Sequence, residues 1–108
     1  MTETDDILKA KLNAETGRVA WQELQRHFAR GVVVNVSAQL DLVEVAFHFT
    51  RDNQAVVNDW LEQGLVAQVT ADDAKGWHDS QCEFWAVVVA PWVLVQVITA
   101  GEGETRGG

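Results

Sequence analysis

The chain has 108 residues, 47% of them hydrophobic, and its 16 Asp and Glu against eight Lys and Arg give a formal net charge of -8 at pH 7. This length is typical of one domain, and five Trp with four Phe supply enough bulky apolar surface to exclude a disordered chain. The negative charge repels phosphate backbones and anionic lipids, so nucleic acid is an unfavourable partner.

Cysteine usage and apolar runs indicate the compartment. Cys82 is the one cysteine, so a single chain completes neither a disulfide nor a cysteine-based zinc site, which suits a reducing cytoplasm. The acidic residues 1–6 do not resemble a signal peptide. The longest apolar run, 84–95, is shorter than the ~20 residues of a membrane helix and contains Pro91. We therefore expect a cytoplasmic protein without a membrane segment and without a cofactor.

The first third of the chain predicts two helices and a strand. The apolar residues of 5–13 share one face of a short helix. Residues 20–30 carry apolar side chains at helical spacing, and Gly31 supplies the left-handed residue at which helices end. The β-branched run 32–36 has the length and composition of a strand.

A helix over residues 40–50 is predicted to lie at the centre of the core. At 100° per residue, Asp41, Glu44, His48 and Arg51 fall within an arc of roughly 80°. The other side chains of this segment are almost all apolar, so the helix is expected to be packed on most sides.

The next segments contain residues that are typical of helix ends. Asp52 is predicted to cap a further helix that ends at Gly64, and residues 65–69 have the composition of a short strand. Thr70 with Asp73 three residues later is a capping-box pattern, which predicts another short helix.

The last apolar segment, 84–98, has the composition of a strand that is buried on both faces. Pro91 lacks a ladder donor and interrupts it, which predicts two collinear strands. In a regular strand Trp85 and Trp92 would face opposite ways, unless the break at Pro91 changes this. The Gly-rich tail 99–108 is predicted to be disordered.

These elements predict an α+β fold in which residues 1–4 are a flexible N-terminus and 5–98 form a single domain. Their order, helix-strand-helix-helix-strand-helix-strand, indicates a winged-helix-like arrangement with a small sheet. A different three-stranded α+β sandwich is the alternative.

Four segments carry a resemblance to a known family. They are LNAET at 12–16, WQEL at 21–24, LDLVEVA at 40–46 and WAVVVAPWVLVQ at 85–96. With them the chain resembles, over residues 8–97, a small bacterial domain-of-unknown-function family, family 2288. The resemblance implies a bacterial, cytoplasmic protein, and it implies no activity and no catalytic residues.

The stripe of Asp41, Glu44 and His48 is a candidate metal site, since two carboxylates and an imidazole on one helix face suit a divalent ion. No further ligands follow at recognisable spacing. The stripe is therefore interpreted first as the solvated edge of a buried helix, and no metal is expected.

Other chemically active side chains give weaker patterns. His78 and Cys82 have the spacing of a zinc pair on a continuous helix, but Gly76 and an expected helix end near Ser80 oppose that geometry. Cys82 as a nucleophile would need a base nearby, and His27 is expected at a helix boundary. The usual enzyme motifs are absent from the sequence, so we lean against an enzyme.

The leading functional hypothesis is a protein-interaction or scaffold module. A strand that is apolar on both faces needs two covers, and self-association through Trp85, Pro91 and Trp92 would provide one of them. In the alternative interpretation, the 40–50 helix and the helix carrying Trp77 cover both faces.

A winged-helix DNA-binding regulator is the second hypothesis. No Lys or Arg occurs between Asp52 and Ala74, where the recognition helix would lie. The hypothesis requires four arginines to gather on one side of the fold: Arg18, Arg26, Arg30 and Arg51.

Overall fold

The computed structural model describes residues 2–98, which form five helices and five strands. In chain order these are α1 (Thr2–Glu15), β1 (Gly17–Ala20), α2 (Trp21–Ala29), β2 (Val33–Val36), α3 (Leu42–Thr50), α4 (Gln54–Gln63), β3 (Val66–Gln68), α5 (Ala71–Ser80), β4 (Glu83–Val89) and β5 (Trp92–Val97). The predicted α+β class is confirmed. No helix in this range combines the length and the apolar composition that crossing a bilayer requires.

The five strands form one mixed sheet in the order β1-β4-β5-β2-β3. β4 pairs antiparallel with β1 and β5, and β2 pairs antiparallel with β3 but parallel with β5. The central position of β5 explains its mainly apolar composition, because a strand with neighbours on both sides and helices above and below is buried on both faces.

Helices cover both faces of the sheet. On one face, α1, α3 and α4 pack against strand residues that include Val34, Val87 and Leu94. On the other face, α2 and α5 pack against the alternate residues, including Val33 and Phe84. Strand alternation thus divides the core into two clusters with the sheet between them.

Helix α3 is the most deeply packed helix, as its composition predicts. Leu42 is buried, and Val45 and Ala46 have no exposed surface. The helix contacts α1, α4, β4 and β5, so apolar side chains cover most of its circumference.

Local signals fix most of the helix ends. Gly31 and Gly64 both have φ of 76° and follow α2 and α4, as predicted. Thr70 and Asp73 form the predicted capping box at the start of α5. The N-cap of α4 is Asn53 rather than the predicted Asp52.

The sequence predicts a flexible N-terminus at residues 1–4 and a disordered tail at 99–108. Helix α1 begins at Thr2, so residues 2–4, expected to be a flexible terminus, are helical. The predicted tail at 99–108 lies outside the described residues.

The prediction of two collinear strands in 84–98 is wrong. β4 and β5 instead form an antiparallel hairpin in which Val89 opposes Trp92. The turn is made by Ala90 and Pro91, which are joined by a cis peptide bond. Pro91 is accommodated here because a residue in the turn does not need to donate a ladder hydrogen bond.

The winged-helix-like order is not confirmed. β1 was not predicted, because four residues that include Gly17 and Arg18 carry no strand signal of their own, and pairing with β4 is what makes them a strand. The strand after α4 leads into α5 rather than into a wing hairpin, and the sheet has five strands rather than three.

Candidate functional site

A cleft of about 400 Å³ lies between α4 and the sheet, on the face that α3 also covers. Its walls come from the end of α3, from α4, from β2 and β3, and from the β4–β5 turn. Its apolar lining consists of Val34, Phe49, Val57, Leu61, Val66, Val89, Ala90, Pro91 and Trp92.

Helix α4 forms one wall without closing onto the sheet. None of its residues is buried, in contrast to α2, α3 and α5. Trp60 packs edge-on against His48 with ring centroids 5.5 Å apart. Val57 and Leu61 line the cleft, and Leu61 is 48% exposed. The apolar stripe of α4 is therefore divided between the core and an open surface.

The opposite wall is the hairpin turn. Trp92 is half-buried and lines the cleft, while Pro91 is exposed at its rim. Val34 and Val66 are buried and line it from the sheet. Apolar surface thus continues from the sheet to both rims.

The polar lining is mostly uncharged. Four carboxamides line the cleft: Asn53, Gln54, Asn58 and Gln68. Gln68 Nε2 donates to the carbonyl oxygen of Gly31 at 2.5 Å. Asp52 supplies the one carboxylate of the lining, and no Lys or Arg contributes to it.

His48 also lines the cleft, and a partner faces each of its ring nitrogens. Asn53 Nδ2 donates to Nδ1 at 3.1 Å, and Nε2 lies 3.7 Å from Glu44 Oε1. Lys9 donates to the other carboxylate oxygen of Glu44 at 2.7 Å, and this hydrogen bond raises the pKa of Lys9. With both nitrogens directed at protein groups, the imidazole is poorly placed to exchange a proton with a ligand in the cleft.

The three side chains of the candidate metal site do not converge on one point. Asp41 is the N-cap of α3, and its Oδ1 accepts from the backbone N–H of Val43 at 2.9 Å. Glu44 and His48 lie one turn apart on the helix and pair with each other. Across residues 4–98, whose side chains the structure describes, no three His, Cys, Asp or Glu side chains are grouped to hold a metal ion.

His78 and Cys82 do not form a helical pair either. α5 ends at Ser80, and Gln81 follows in the left-handed region with φ of 55°. His78 is exposed, whereas Cys82 is half-buried against the core cluster that α2 and α5 cover, with its Sγ 2.9 Å from Ser80 Oγ. His27 lies in the last turn of α2, at the helix boundary where it was expected.

The predicted interaction residues are divided by the hairpin. Because the chain reverses at Pro91, Trp85 and Trp92 lie on the same face of the sheet. Pro91 and Trp92 line the cleft, but Trp85 does not. Trp85 is 39% exposed at the far end of β4, where the guanidinium of Arg18 lies 5.8 Å from its ring centroid.

The arginines of the DNA-binding hypothesis do not gather on one side. Arg18 pairs with Glu83 at the β1–β4 edge, and Arg51 pairs with Asp5 beside α1. Arg26 and Arg30 belong to the end of α2, on the other face of the sheet from α3. Neither of these groups is extended by basic residues of α4, because α4 contains none.

Sequence reasoning missed the cleft, although one signal for it is present. The apolar stripe of α4 is only two residues wide per turn, and the segment around it is rich in Asn and Gln. Such a helix is able to bury one edge while it leaves the other open. The second wall is supplied by the hairpin turn, which no local pattern places next to α4.

Residues 7–97 match the model of a family described as "Protein of unknown function (DUF2288)". The chain is also similar to the NMR solution structure of PA1075 from Pseudomonas aeruginosa, with 44% sequence identity, a TM-score of 0.78 and coverage of 94% of each chain. None of the curated proteins compared with the chain matches it. The family match spans every element that contributes to the cleft.

Proposed function

The chain belongs to this family of unknown function, and we propose from its geometry that it is a protein-interaction module that binds a short segment of a partner protein in the cleft. The resemblance seen in the sequence is thereby confirmed at the level of the family. The single cysteine, which leaves the chain without an internal disulfide, supports a cytoplasmic location for this module.

One observation carries the proposal. Helix α4 holds Val57 and Leu61 over the cleft instead of burying them against the sheet, and Pro91 and Trp92 face the same space. A cleft that is mostly apolar and carries a few polar groups has the usual form of a ligand-binding site. Closing the cleft would bury this apolar surface and stabilise the fold. Its opening therefore supports a role for the surface in binding.

The shape and the polar groups favour a protein segment. Leu61 and Pro91 are exposed at the rims, so a ligand is able to continue beyond the cleft in both directions. The carboxamides of Gln54 and Asn58, both exposed in the cleft lining, offer donors and acceptors, which matches the hydrogen-bonding groups of a peptide backbone.

A second copy of the chain is a less suitable occupant. Helices cover most of both faces of the sheet, so a dimer would bury only the parts of the strand segment that stay exposed, which include Trp85 and Val88. Two copies would also bring together two net charges of -8, which opposes association. We therefore propose a partner other than this chain.

Site-specific photocrosslinking in the native host tests the proposal. A photoreactive residue replaces Asn58, which is exposed and lines the cleft, and in a matched strain it replaces Ile7, which is 69% exposed on α1. We expect a defined crosslinked protein from position 58 alone, which disappears when Leu61→Glu is added and remains when Ile7→Glu is added.

Identical products from both positions, or products that ignore Leu61→Glu, would contradict the proposal. Light scattering across a concentration series tests whether a second copy of the chain occupies the cleft instead. A dimer that Leu61→Glu dissociates would show that the cleft binds a second copy instead.

A further inference from the structure

We propose that the segment bound in the cleft carries an apolar anchor with a Lys or Arg on each side of it. This inference rests on the proposed function and specifies the chemistry of the partner. The anchor contacts Leu61 and Trp92, and the two cations approach Asp52 and Glu62.

The anchor site follows from the apolar walls. Val57 and Leu61 face the cleft from α4, and Val89 and Trp92 face it from the hairpin. A Leu, Phe or Trp side chain placed between these walls would bury surface on both sides. Burial of one such side chain is the largest favourable contribution that a cleft of about 400 Å³ offers to a short segment.

Acidic groups lie toward the two ends of α4. Asp52 precedes the helix and lines the cleft. Glu62 is in the last turn, four residues after Asn58, so it lies on the same side of the helix as that cleft residue. Asp59 is two residues from both Val57 and Leu61 and faces away from them.

Among the side chains of residues 4–98, neither of the two carboxylates has an ion-pair partner. The ion pairs there involve Asp5, Glu44 and Glu83, but not Asp52 or Glu62. The sequence contains no Lys or Arg from Asp52 to Ala74. Asp52 is thus the charged carboxylate of the cleft lining, to which no Lys or Arg contributes, and this favours a basic segment over an acidic one.

The spacing of these groups sets the length of the motif. Asp52 lies two residues before the start of α4, and the helix axis rises about 12 Å from Gln54 to Glu62. An extended segment covers that rise with about four residues, and the position of Asp52 before the helix adds one or two more. The expected motif is thus a cation, an apolar residue near the middle and a second cation within about five to seven residues.

Selection from a random-peptide display library tests this motif. The immobilised full-length protein selects binders, and Leu61→Glu protein serves for counter-selection. Enriched peptides are then synthesised and their affinities are measured by fluorescence anisotropy. We expect enrichment of Lys or Arg around an apolar residue, and affinity that falls as ionic strength rises from about 0.01 M to about 1 M.

A charge-matched pair of double variants identifies the surface. Asp52→Asn with Glu62→Gln is expected to weaken binding by about fivefold. Glu23→Gln with Asp79→Asn makes the same change in net charge on α2 and α5, across the sheet, and is expected to leave affinity unchanged. Circular dichroism confirms that all variants are folded.

The outcomes separate the two proposals. Neutral or acidic peptides that bind only when Leu61 is intact would overturn the cationic motif and retain the interaction module. Equal weakening by both double variants would also overturn the motif, because it would reflect net charge alone. If no selected peptide depends on Leu61, both proposals fail.

Discussion

Asn53 Nδ2 lies 3.1 Å from His48 Nδ1 and donates a hydrogen bond to it across the bend between α3 and α4. Asn53 occupies the N-cap position of α4, yet its side chain makes no capping hydrogen bond. The carboxamide therefore links the two helices instead of satisfying the first turn of α4, and so fixes one wall of the cleft relative to the core.

Asn53→Ala is expected to lower the free energy of unfolding by about 1 kcal/mol, since it removes one partly buried hydrogen bond. Amide hydrogen exchange should accelerate in the first turn of α4. Asn58→Ala is the control, because it makes the same chemical change at an exposed site of the same helix. Equal losses in urea denaturation would show that the Asn53–His48 bond contributes nothing specific.

Two glycine-to-alanine changes are expected to have opposite effects. Gly64 has φ of 76°, and an added Cβ would meet nothing within 4 Å. Gly64→Ala should therefore destabilise by about 1 kcal/mol through backbone strain alone. Gly76 lies inside α5 with equally open surroundings, so Gly76→Ala should stabilise by up to about 1 kcal/mol. Changes of the same sign in chemical denaturation would disprove this explanation.

Alanine substitutions at Leu94 and Val88 test how much burial against the helices contributes to the free energy of unfolding. Leu94 in β5 has no exposed surface, whereas Val88 in β4 is 61% exposed. Leu94→Ala is expected to cost about 2 to 5 kcal/mol because it leaves a cavity in a packed cluster. Val88→Ala should change stability by no more than about 0.5 kcal/mol. A small loss for Leu94→Ala would mean that the sheet is not covered on that face.

The capping box of α5 gives a prediction with its own rescue. Thr70 Oγ1 accepts from the backbone N–H of Asp73 at 3.1 Å, and Asp73 Oδ2 accepts from the N–H of Thr70 at 3.2 Å. Thr70→Ala should lower the free energy of unfolding by about 1 kcal/mol, and Thr70→Ser should retain nearly all of it. A serine variant as unstable as the alanine variant would exclude capping as the cause.

The helices were largely predictable because their signals are local. Gly31 and Gly64 end helices through their own backbone conformation, and Thr70 with Asp73 starts one through bonds within four residues. The packing of α3 followed from its composition alone. Asp41 was misassigned to the helical stripe because a cap and a first-turn residue have the same sequence signature.

The cleft was not predictable because its two walls are far apart in the sequence. Leu61 and Trp92 face one space only after β5 has paired with β2 and the chain has reversed at Pro91. The predicted interaction residues were separated for the same reason, since the hairpin moved Trp85 away from the turn.

The sequence by itself determined the class of fold, the helices with most of their ends, the acidic surface and the doubly apolar final segment. Each of these depends on residue type or on periodicity within a few residues. The tertiary structure alone decided the five-strand order, the hairpin, strand β1 and the open face of α4. Strand pairing joins residues that are distant in the chain, and whether a helix seals against a sheet depends on the summed shape of both surfaces.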